Sequence, residues 1–151
     1  METIQFGRWR VNCDPQQTQE AHARITVGSP EACGCLDCTN FAEARDRIYP
    51  VEMTDLLRRL GINPRHEAEV YCMGREEAGL HLYGGWFHFV GSVESEGDAV
   101  GQFDIEKDKE PFTIFFTDKA QVVDDAFKGI PVAQIEFVAQ VPWVLGQPES
   151  H

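Results

Sequence analysis

The sequence predicts an α+β domain: a largely antiparallel sheet of about six to seven strands with a helical pair inserted early. Three observations carry that expectation. Between Pro50 and Gly61, the apolar residues Met53, Leu56, Leu57 and Leu60 recur at the spacing of one helix face. After Asn63-Pro64 the chain is dominated by runs of branched and aromatic residues, the composition of strands. No internal repeat or long linker divides the 151 residues, so residues 1–151 read as a single domain.

The elements follow in order. Ile4, Phe6 and Arg8 alternate with Gln5, Gly7, Trp9 and Val11, which predicts a first strand that Asp14-Pro15 breaks. Ala21, Ala23, Ile25 and Val27 alternate with His22, Arg24 and Thr26, predicting a second strand paired with the first as a hairpin. Asn40 and Glu43 have capping-box spacing, and Phe41, Ala44 and Ile48 share a face, so a short helix is expected over 40–48. The helix between Pro50 and Gly61 has acids in its first half, Arg58 and Arg59 near its end and a glycine just past it, all suited to the helix dipole and caps. Further strands are expected over 69–73, 79–83, 86–93, 112–117 and 132–141.

The formal net charge of −12 repels nucleic-acid phosphates and anionic membranes, which argues against either as a partner. It suits solubility, or a basic protein partner drawn in by electrostatic attraction. No apolar run is long enough to span a bilayer, and Met1-Glu2-Thr3-Ile4-Gln5 lacks the layout of a signal peptide, so the expected compartment is the cytoplasm. Five cysteines, an odd number with three crowded together, make a poor disulfide framework and agree with a reducing compartment.

Cys33-Gly34-Cys35-Leu36-Asp37-Cys38 places three thiols within one tight segment. Thiolates are soft ligands, and the Cys-x-x-Cys half has the spacing of a zinc knuckle, where two sulfurs reach one ion at about 2.3 Å. Gly34 lets the backbone bend so that the third sulfur joins. Zinc is therefore the expected cofactor, held by Cys33, Cys35 and Cys38. A closed site needs a fourth ligand. Cys13 is expected at the far end of the first hairpin, about 20 Å of strand away, which leaves Cys72 or a histidine. Two alternatives use the same residues: Cys35 and Cys38 as a thiol-dependent redox pair at a helix N-terminus, or packed thiols in a metal-free acidic domain that binds a basic protein.

Gly84-Gly85, set between Leu80-His81-Leu82-Tyr83 and Trp86-Phe87-His88-Phe89, matches a two-residue hairpin turn. That register opposes His81 with His88 and Tyr83 with Trp86 on one face, a candidate ligand face, and sends Leu80, Leu82, Phe87 and Phe89 to the core. Between Glu94 and Glu110 acids accumulate, with Asp104, Glu106, Asp108 and Glu110 at alternate positions. The pattern lacks the glycine and closing acid of a calcium loop and reads as a solvated edge. No phosphate loop, nucleophile elbow, zincin helix or dinucleotide fingerprint is present, so the sequence tilts toward a binding domain rather than an enzyme and names no catalytic residue.

Overall fold

The structure is a computed structural model, and it describes residues 1–76, 79–94, 103–107 and 110–146; of residues 103–107 and 110 it describes the backbone alone. The fold is the expected α+β mix. Its strands are β1 (Glu2–Phe6), β2 (Trp9–Cys13), β3 (Glu69–Arg75), β4 (Leu80–Val93), β5 (Phe103–Lys107), β6 (Glu110–Thr117) and β7 (Val132–Pro142). Its helices are α1 (Pro15–Ala23), α2 (Ser29–Cys33), α3 (Leu36–Ala44) and α4 (Val51–Leu60), with short 3-10 turns at Arg45–Arg47 and Asp125–Phe127. All pairings are antiparallel in the order β1-β2-β4-β7-β6-β5, with β3 also on β4.

Helix α4 is the element read most directly from sequence: Met53, Leu56, Leu57 and Leu60 are all buried, and Gly61 closes it in the left-handed conformation. Helix α3 starts four residues earlier than the capping-box spacing suggests, because the Cys35 sulfur, not Asn40, caps it by accepting the Cys38 N–H at 3.4 Å. Asn40 is instead buried within α3, donating to the Pro142 carbonyl and accepting the Val144 N–H, which ties the helix to the chain beyond β7.

The strand expected over 21–27 is not formed. Asp14 accepts the Gln17 N–H and Pro15 takes the first helical position, so Asp14-Pro15 starts α1 rather than ending a strand. Thr18, Ala21 and His22, at helical spacing, are the residues it buries. The first hairpin is instead made by β1 and β2 around Gly7-Arg8, with Ile4 opposite Val11 and Phe6 opposite Trp9. A continuous strand would send Ile4 and Val11 to opposite faces; the turn brings them to the same one, where both are buried.

The hairpin expected at Gly84-Gly85 is also absent. Strand β4 runs unbroken for 14 residues, and Leu80 through Val90 pair with Pro142 back to Val132 of β7. The glycines serve close approach. A Cβ on Gly84 would lie 2.5 Å from the Tyr71 ring, and one on Gly85 would lie 2.7 Å from both the Glu69 carbonyl and the Phe137 ring. In one continuous strand His81, Tyr83, Phe87 and Phe89 share a face, whereas Leu82, Trp86 and His88 share the other. The two histidines therefore do not meet, and Tyr83 and Trp86 do not form a pair.

The main core lies between α3, α4 and one face of the sheet. Phe137 is its hub, with ring centroids of Tyr49 at 5.3 Å, Phe112 at 5.8 Å and Phe41 at 6.0 Å. A small second cluster, Ala21, Val90 and Phe127, packs α1 and the 125–127 turn against the other face of β4. Among the described residues no helix is long and apolar enough to cross a membrane. The acidic run falls partly in β5, an outer strand of the sheet; Asp108 lies outside the described residues.

Candidate metal centre

The three thiols meet because α2 and α3 are joined by a sharp corner. Cys33 is the last residue of α2, and Gly34 adopts φ 67°, which favours glycine. Cys35 then caps α3 and Cys38 stands one turn in. The sulfurs of Cys33, Cys35 and Cys38 all lie within 4.8 Å of one another, close enough to hold a metal ion. Cys33 and Cys35 are exposed, whereas Cys38 is buried.

The electrostatics divide the three. The Cys33 thiol is held below its ordinary range, first by the backbone N–H of Cys35 and then by the Cys35 and Cys38 side chains. Burial pushes the Cys38 thiol well up, and hydrogen bonding to Cys35 and Cys33 adds to that. Cys33 is therefore poised to lose a proton at lower pH than Cys38, the Cys35 N–H supplying the dipole that favours its thiolate.

An ionic lattice centred on the buried Arg45, which sequence reasoning missed, fixes this corner. Arg45, 3% exposed, reaches Glu67 through Nε and Nη2 at 2.9 and 2.7 Å and Glu31 through Nη1 and Nη2 at 2.6 and 3.0 Å. The Tyr49 hydroxyl donates to Glu67 at 2.8 Å. Since Glu31 sits in α2, two residues before Cys33, Arg45 ties the thiol corner to the core side of the fold. The Ser29 N–H adds a bond to the Glu67 carbonyl at 2.9 Å. No motif links Glu31, Arg45 and Glu67, so only the folded chain reveals them as a set.

The remaining candidates are spread out. Cys13 is buried and donates to the Leu60 carbonyl at 3.3 Å, outside the thiol group; the reason is the β1–β2 hairpin and α1, not the hairpin the sequence suggested. Cys72 is also outside the group of three. It lies half-buried at an irregularity in β3, 3.9 Å from His81 Nδ1, its thiol raised by burial against the opposing effect of the Gly74 N–H. Tyr83 is fully buried and donates to the Asp37 carbonyl in α3, so this patch lies against the thiol-bearing helix. His81 packs on Trp143 at 5.0 Å, while Trp86 donates to the Gln121 carbonyl on the other face. The proposed ligand face of His81, His88, Tyr83 and Trp86 is thus two separate environments. Compared with protein-family models, curated proteins and solved structures, the chain matches none of them.

Proposed function

We propose that the chain is a small metal-stabilised binding domain, in which the thiolates of Cys33, Cys35 and Cys38 hold one zinc ion. The observation that carries this reading is the convergence of three sulfurs within 4.8 Å at a corner braced by the ion pairs of the buried Arg45. Zinc is favoured over harder cations because the donors are all sulfur. Cys72 is the fourth ligand in this reading: its thiol is within electrostatic reach of Cys35 and meets the Gly74 N–H, a donor that stabilises thiolate. The partner is a basic protein, steered by the net charge of −12. The protein works in the cytoplasm, where thiols stay reduced.

Elemental analysis of protein never exposed to chelator tests the reading. The expected result is about one zinc per chain, lost in the Cys33→Ser, Cys35→Ser, Cys38→Ser triple variant. Cobalt substitution should give a thiolate charge-transfer band that weakens in Cys72→Ser if that residue completes the site. A metal-to-protein ratio near zero would overturn it. The second reading, thiol exchange by Cys35 and Cys38, is favoured by the exposure of Cys35 at the start of α3 with Cys38 one turn behind it. It predicts a metal-free protein that forms an intramolecular disulfide under mild oxidant.

A further inference from the structure

A cavity of about 450 Å³ opens between α1, α2, the 66–69 segment and the chain approaching the 125–127 turn, with Cys33 in its wall. Its size falls within the roughly 300–1,000 Å³ of small-molecule sites. Four features of its lining set it apart. Its apolar wall includes Ile25 and Phe127, and Val27, Val122 and Val123 stand 45%, 64% and 41% exposed at the same cavity. Val122 also holds φ 53°, the one positive φ outside glycine among the described residues, in a β-branched side chain that this conformation disfavours.

The third feature is polar. Among the described residues three buried side-chain atoms have no hydrogen-bond partner, and two of them, His66 Nδ1 and His88 Nδ1, belong to residues that line this cavity. His88 is 1% exposed and its tautomer is fixed. Gln134 Nε2 donates to Glu136 at 2.9 Å, which leaves Gln134 Oε1 to accept the Gln121 N–H at 2.9 Å and His88 Nε2–H at 2.8 Å. A neutral His88 so held carries its proton on Nε2 and presents Nδ1 as a bare acceptor. His22, stacked on His66 at 5.8 Å, donates from Nε2 to the His88 carbonyl at 3.0 Å, and Phe127 packs edge-to-face with both His22 and His88. The fourth feature is charge: Glu67, Glu69 and Asp124 line the cavity and no lysine or arginine does.

We propose that this cavity binds a small organic amine with an apolar body, the body lying against the exposed valines and Phe127 and the N–H groups donating to the bare Nδ1 of His88, beside the unpartnered Nδ1 of His66. Burial lowers the basicity of His22, His66 and His88, so at neutral pH the imidazoles carry no charge to repel an ammonium, and with Glu67 already paired to Arg45 the carboxylates of Glu69 and Asp124 supply the formal charge in the wall. An anionic ligand finds no counter-ion there. The site goes beyond the metal reading and does not require it, since its acceptors and apolar wall lie outside the thiol group.

The test is an NMR titration of the full chain at pH 7.5 with benzylamine, with benzoate as the charge control. Benzylamine should shift the His66 and His88 ring signals saturably, and benzoate should bind at least about tenfold more weakly. Val27→Trp, which places a bulky ring at an exposed position of the cavity, should abolish the shifts while leaving the unfolding curve unchanged; His66→Phe should weaken binding about tenfold. Absence of any saturable shift would mean that the cavity takes only water, and would overturn the proposal. Equal binding of benzoate, or binding indifferent to Val27→Trp, would overturn it as well. Repeating the titration on the triple serine variant separates the two readings: persistent binding without zinc upholds the amine site whatever becomes of the metal, and binding lost from a variant that keeps its fold overturns the site as drawn.

Discussion

Arg45 grips Glu67 with two parallel hydrogen bonds, Nε to Oε2 at 2.9 Å and Nη2 to Oε1 at 2.7 Å, where both side chains are almost wholly withdrawn from water. A buried pair of this kind stabilises little against an apolar alternative, but removing Glu67 leaves the buried Arg45 with only the part-exposed Glu31 as counter-ion. Glu67→Ala should therefore cost about 3–5 kcal/mol in chemical denaturation. It should also loosen the thiol corner, read as faster cysteine labelling in native buffer. A cost below about 1 kcal/mol would show that the pair is not buried in solution.

The two adjacent glycines of β4 make a differential prediction. Gly84→Ala meets the Tyr71 ring, which is 40% exposed and free to swing outward, so the cost should stay below about 1 kcal/mol. Gly85→Ala meets the Glu69 backbone carbonyl and the buried Phe137 ring, neither of which yields readily, and should cost about 1–3 kcal/mol. Equal effects in a melting series would contradict the continuous strand.

Burial pushes the His22 imidazole down to about 4, an effect only partly offset by its hydrogen bond to the His88 carbonyl, and burial lowers His66 and His88 too. The unfolded chain then binds more protons than the folded one between the ordinary value near 6.5 and about 4. Stability should accordingly fall as pH drops through that window. Glu31, held low first by its hydrogen bonds to Arg45, extends the loss in the same direction at lower pH, through its own folded value. In His22→Gln the slope of stability against pH between 4 and 6.5 should be shallower; an unchanged slope would remove His22 as a cause.

His81 and His88 are seven positions apart on one strand, about 23 Å, and face opposite sides of the sheet. His81→Gln should therefore leave the NMR titration curve of His88 unmoved. A shift of that curve would restore the hairpin that the glycine pair suggested.

In the zinc reading Cys35→Ser removes a metal ligand but keeps a cap on α3, because the serine oxygen can accept the Cys38 N–H in place of sulfur. In zinc-loaded protein the loss should be several kcal/mol and should be reproduced by chelator on the wild type, since ligand binding and folding are coupled. If the thiols only pack, the substitution should cost about 1 kcal/mol and chelator should change nothing.

Local chemistry determined the parts that the sequence alone makes legible. The stripe of Met53, Leu56, Leu57 and Leu60 has one period and one helical solution, and Gly34 between Cys33 and Cys35 permits the corner that gathers three sulfurs. The α+β class follows from runs of strand-forming residues beside that helix. Where a glycine turns the chain was a different matter, because two antiparallel arms and one continuous strand bury different sets of the same residues. At Gly7 the turn is real and puts Ile4 with Val11; at Gly84-Gly85 it is absent and puts Phe87 and Phe89 with Tyr83 and His81. The deciding partner is β7, eleven residues long, which pairs along its length only with an uninterrupted strand. Likewise Asp14-Pro15 fits a break or a helix start equally well, and burial of Thr18, Ala21 and His22 against β4 selects the helix. The Glu31–Arg45–Glu67 lattice and the histidine-lined cavity draw on residues tens of positions apart. Tertiary packing alone decides such sets, because proximity across separate segments leaves no periodic trace in any one of them.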